Sequence, residues 1–132
     1  MQQGQFKAAA NQFEALYLDL LAQQAPASHL AIVQYNRGLA WLQQALHIES
    51  LEDQLLIFNR AQAAFLLAKR WQPNLQQASG QLDQSATNIA RIQTALAAQS
   101  QAQQQQANQM RTLVNLMEAL LANQILIREQ LN

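Results

Sequence analysis

The chain has 132 residues, with eight basic and eight acidic side chains and no cysteine. That length suits one domain, in which a single core can bury roughly two-thirds of the unfolded chain's surface. The missing thiols exclude disulfides and thiolate metal sites, and zero net charge without a basic cluster argues against nucleic acid as a partner.

Charged residues make up only 12% of the chain, about half the usual share of roughly 25%. Glutamine, alanine and leucine take their place, while glycine and proline together number five. Good helix formers with few breakers predict an all-α fold. The start, MQQGQFKAAANQFEA, has no continuous apolar run of the secretory kind. No stretch of about eighteen apolar residues predicts a membrane span, so a cytoplasmic protein is expected.

Phe6, Ala9, Phe13, Leu16 and Leu20 recur at steps of three and four, which predicts a helix over about 5–24, ended by Pro26. Ser28 is the expected N-cap of a second helix, about 28–48. Its stripe is Ile32, Tyr35, Leu39, Leu42 and Leu46, widened by Val33, Trp41 and Ile48. Ser50 with Asp53 three residues later resembles a capping box and opens a third helix, about 51–71, before Pro73. That helix is apolar around much of its circumference, so it is expected at the centre of the bundle.

Beyond Pro73, Leu75, Ala78, Leu82, Ser85, Ile89, Ile92 and Leu96 keep a strict 3-4 spacing. Met110, Leu113, Met117, Leu120, Gln124, Ile127 and Leu131 do the same. Between them lies SQAQQQQANQ, without glycine or proline. Read without a break, 74–131 is one helix about 85 Å long at about 1.5 Å per residue. In so short a chain it would leave much apolar surface uncovered, so a turn near 98–104 is expected, with helices of about 74–98 and 104–131. The competing reading is one continuous helix in a coiled coil or a swapped dimer. The expected whole is a single domain, residues 1–132, built as an antiparallel four-helix bundle with an additional N-terminal helix. Tetratricopeptide repeats fit less well, because these segments are too long and show no common period.

Little in the chain suggests chemistry. His29 and His47 lie eighteen residues apart near opposite ends of one predicted helix, and neither has a partner at helical metal spacing. Glu49, Glu52 and Asp53 cluster where acids favour a helix N-terminus, and Lys69 and Arg70 sit where bases favour a C-terminus. There is no phosphate-binding glycine loop and no nucleophile elbow. An enzyme is not expected, and no cofactor is implied. Gly38 stands out, because a glycine inside a helix costs roughly 1 kcal/mol relative to alanine. Close approach of another backbone would account for it, either a neighbouring helix of the chain or a bound partner helix over Tyr35, Gly38 and Leu39.

The stretch LAIVQYNRGLAWLQQAL, Leu30–Leu46, holds one formal charge, Arg37. Its Leu30, Tyr35, Leu39, Leu42 and Ala45, with Trp41 as the aromatic, resemble the signature of the flagellin-specific export chaperones. Ala25-Pro26 and Tyr17 upstream are similar to that family's pattern, as are Arg60-Ala61-Gln62 and Gly80-Gln81-Leu82 downstream. The sequence departs from it at Gln34, at Asn36-Arg37 where the family has Asp-Gly, and at Ile89-Ala90 where it has Leu-Tyr. The resemblance covers about residues 17–90. It implies a five-helix bundle that binds the helix-forming C-terminal segment of flagellin, or of a related type III secretion substrate, and prevents premature polymerisation. The implied partners are that segment and the export apparatus. The expected partner-binding residues are Tyr17, Ile32, Tyr35, Gly38, Leu39, Trp41 and Leu42, with Tyr17 on a segment that covers an empty groove. The alternative is a self-associating scaffold or structural subunit of a secretion or pilus-type assembly, in which case a homodimer is expected.

Overall fold

A computed structural model describes residues 3–131. All regular structure among them is α-helical: α1 (Gln3–Ala22), α2 (Ala27–Leu46), α3 (Leu51–Trp71) and α4 (Gln76–Leu131). The chain divides into two compact units, Met1–Leu96 and Ala97–Asn132. The expected turn at 98–104 does not exist, because α4 runs unbroken through it. Nothing there breaks a helix: the tract is glutamine and alanine, both good helix formers, with no proline after Pro73. Among the described residues there are therefore four helices where five were expected.

The helix ends show local chemistry at work. α1 closes with Gln24 in the left-handed region at φ 56°. The Gln24 N–H donates to the Leu21 carbonyl at 3.1 Å, and the Ala25 N–H donates to the Leu20 carbonyl at 3.0 Å. This is the Schellman arrangement, here with glutamine where glycine is usual. Pro26, next in the chain, occupies the N-cap position of α2 and offers no side-chain cap. Ser28 is thus not the cap expected from sequence. It lies in the first turn, one residue inside the helix start. At α3 the expectation and the structure agree, since Ser50 is the N-cap and its Oγ accepts from the Asp53 N–H at 3.4 Å. Glu52 and Asp53 in the first turn and Lys69 and Arg70 in the last complement the helix dipole.

In Met1–Leu96 the core forms two clusters. The larger joins Ala10 of α1, Trp41, Leu42 and Ala45 of α2, Ile57, Phe58 and Phe65 of α3, and Ile92 of α4. The smaller joins Tyr17, Leu30 and Val33, with Leu67 and Trp71 packed against them. α2 packs against both α1 and α3, so the helix between two neighbours is α2, not α3 as the composition suggested. α3 keeps one buried face, Ile57 to Ala68, while Leu56 and Leu66 face solvent. Several small residues, Ala31, Gly38, Ala61, Ala64 and Ala68, are buried among the larger core side chains.

Gly38 lies directly against a side chain of α3. A Cβ built on it would stand 2.5 Å from Cε1 of Phe65, whose side chain is fully buried and has no room to retreat. Overpacking of this kind typically costs about 1–3 kcal/mol. Replacing Gly38 with Leu is expected to lower stability by at least that amount, read as a drop in melting temperature by circular dichroism.

Candidate functional site

Two parts of the chain compete for a functional reading: the α2 stripe singled out by the sequence, and the C-terminal part of α4. Tyr35 is half-buried, with its ring 5.7 Å from that of Phe65. Gly38 lies under the same Phe65 ring. Leu39 packs against the main core, and Trp41 and Leu42 are part of it. Tyr17 belongs to the second cluster, where its Oη accepts the Trp71 Nε1–H at 3.0 Å. Ile32 alone of the seven expected residues is exposed. The structure therefore gathers five of them around α3, places Tyr17 apart from them, and leaves no open groove over Gly38. The space there belongs to Phe65 of the same chain.

Asn36-Arg37-Gly38, the oddest part of the stretch, has an internal account as well. Arg37 Nε stands 3.0 Å from Glu14 Oε2 of α1, without the alignment a hydrogen bond needs, so the contact is ionic. A second guanidinium nitrogen of Arg37 donates to Gln34 Oε1 at 3.2 Å. The pair ties α2 to α1 while partly exposed to water, a setting in which ion pairs contribute about 0–1 kcal/mol. Arg60 of α3 sits 5.1 Å from the Trp41 ring centroid, a cation–π contact between α3 and α2.

Around the α2–α3 turn, Lys7, His47, Glu49, Asp53 and Arg60 line an open polar cleft. His47 is engaged there: its Nδ1 lies 2.8 Å from the Gln43 carbonyl, and its ring lies 5.3 Å from that of Phe6. Charges of both signs alternate in the cleft, and among the described residues no group of three metal-ligating side chains converges.

Ala97–Asn132 is different in kind. Every described residue from Ala97 to Leu131 is exposed, including eleven large apolar side chains between Met110 and Leu131. Their exposure runs from 48% at Val114 to 82% at Leu131. Val114, Met117, Leu120 and Leu121 form a shallow apolar surface edged by Glu118 and Gln124. The sequence displayed this stripe as a regular 3-4 repeat, but that repeat reads equally well as the buried face of a bundle helix. Only the missing turn at 98–104 separates the two readings, and glutamine-rich sequence gives no signal for it.

No known protein family, curated protein or solved structure matches the chain. No helix among the described residues is long and apolar enough to cross a membrane.

The Tyr17–Trp71 contact links α1 to the end of α3. Tyr17→Phe leaves the indole N–H without its acceptor in a partly buried place, a loss of about 1 kcal/mol. Urea denaturation is expected to show that loss with an unchanged dependence on denaturant concentration.

Proposed function

We propose that the chain is a protein-interaction subunit that binds a helical segment along the apolar face of α4 between Met110 and Leu131. The observation that carries this is the exposure of eleven large apolar side chains within those 22 residues. Most of them share one side of the helix, and a contiguous apolar surface of that kind marks interaction sites in water-soluble proteins. Helix-on-helix recognition uses the i, i+3, i+4, i+7 anchors that this face presents. Between Met110 and Leu131 only Arg111, Glu118, Arg128 and Glu129 are charged, and the neutral amides Asn115, Asn123, Gln124 and Gln130 are cheaper to desolvate than charge.

In its most specific form the proposal is an export chaperone acting in the cytoplasm. It would hold the C-terminal segment of flagellin or of a related type III secretion substrate until export. The resemblance at Leu30–Ala45 supports that client class, and we read Met1–Leu96 as an antiparallel bundle that carries the binding helix. The partner-binding role first expected of the α2 stripe passes in this reading to α4, with Ile32 the one member of the stripe left open to solvent. The second reading, a structural subunit of a secretion or pilus-type assembly, draws on the unbroken helix itself.

Co-expression with a flagellin, with and without the flagellin's C-terminal segment, tests the client. The expected outcome is 1:1 co-purification that depends on that segment and is lost in Met117→Glu. Binding that ignores the client's C-terminal segment, or that survives Met117→Glu, would overturn the chaperone reading.

A further inference from the structure

We propose that, when no client is bound, the α4 face is covered by a second copy of the same helix, paired parallel and in register over Met110–Leu131. This rests on the reading of that face as a binding surface and names what covers it in the client-free protein. Four observations on α4 carry it.

The first is spacing. Met110, Leu113, Met117, Leu120, Ile127 and Leu131, with Gln124, fall at alternating steps of three and four without a gap. That is the seam of a left-handed coiled coil, in which each seam residue fits between four of an identical neighbour. A heptad repeat is complementary to itself, which an irregular apolar face is not.

The second is area. Eight apolar side chains lie on or beside the seam, each about half to four-fifths exposed. Covered, they bury on the order of 800 Å² per copy, which is one side of a standard-size interface. Val114 and Leu121 flank the seam on one side and widen it beyond a minimal two-stranded contact.

The third is charge. From Ala97 to Asn132 the charged residues are Arg111, Glu118, Arg128 and Glu129, two of each sign and none on the seam. Two copies therefore meet without net repulsion. A lipid surface finds no basic cluster here to draw it to anionic headgroups.

The fourth is Gln124, the one polar seam residue, and it fixes the direction. In a parallel, in-register pair the two Gln124 side chains meet at one level, where each amide can donate to the other's carbonyl oxygen. In either antiparallel register that keeps the seam together, Gln124 faces Leu113 or Leu120 of the other copy, and its buried amide is left without a partner.

The test uses the full chain. Light scattering after gel filtration is expected to give at least twice the 14.8 kDa chain mass. Leu120→Glu is expected to return it to one chain mass while leaving the helical melting of Met1–Leu96 in place, since Leu120 is exposed in the single chain. Direction is read from Met110→Cys, which introduces the only thiol. Air oxidation is expected to link two copies at position 110, because a parallel seam sets these residues side by side within disulfide reach. A single-chain mass at every concentration overturns the proposal. If that monomer still binds flagellin through Met117, the binding face stands and only the second copy is lost. An oligomer that survives Leu120→Glu, or one in which Met110→Cys stays reduced, overturns the proposed seam. A monomer that sediments with phosphatidylcholine vesicles assigns the face to lipid and overturns it as well.

Discussion

The closeness of α2 to α3 at Gly38 governs how this chain uses its apolar residues. With no side chain at position 38, the Phe65 ring drops onto the α2 backbone and is fully buried there. The helix-propensity loss of roughly 1 kcal/mol at a mid-helix glycine is set against burial of a whole phenyl ring, worth roughly 1.5–3 kcal/mol. Tyr35 tilts against the same ring, and Leu39, Trp41 and Leu42 fall into the core beside it. A groove and a packed phenylalanine cannot occupy the same space, so an α2 stripe that reads as a partner site is held inside by its own chain.

Closing that face shifts attention to α4, where the chain departs from ordinary globular economy. Helices in water draw most of their stability from packing an amphipathic face, and isolated ones are marginal even when their propensities are good. Beyond Ala97, α4 has good propensities from its alanine and glutamine, a regular apolar stripe, and nothing buried among its described residues. A stripe spaced for packing yet fully exposed in the single chain is the signature of a helix completed by something else. The polar tract Ser100–Gln109 has no apolar stripe and carries the helix on propensity alone. It supplies no packing, but it keeps the two apolar stretches on one continuous helix.

Much of this was legible in the sequence, and the failures are instructive. Three helices were placed within a few residues because Pro26, Ser50 and Pro73 punctuate a clear 3-4 periodicity. Their boundaries are set by local chemistry, which sequence carries directly. The cap of α2 lies two residues before Ser28, because Ser28 is the better capping side chain but Pro26 holds the position through backbone geometry alone. The turn at 98–104 was inferred from the need to cover apolar surface, an argument that holds for a chain folding alone and fails for one that leaves a face exposed. At Gly38 the sequence points to close approach of another backbone, whereas the structure places the Phe65 side chain there; periodicity has no means of saying which residue arrives. Phe65 lies 27 residues downstream with nothing local to announce it. The apolar residues of 110–131 were all visible, and only their exposure was not.

In the proposed reading, residues 110–131 rather than the α2 stripe form the surface that this protein offers to others, and in the client-free protein a second copy covers it. Amide hydrogen exchange of the full chain, followed as a function of protein concentration, tests it most directly. Protection across Met110–Leu131 is expected to rise with concentration while Leu30–Leu46 stays equally protected throughout. Concentration-independent exchange in α4, or protection that grows in Leu30–Leu46 instead, would contradict it.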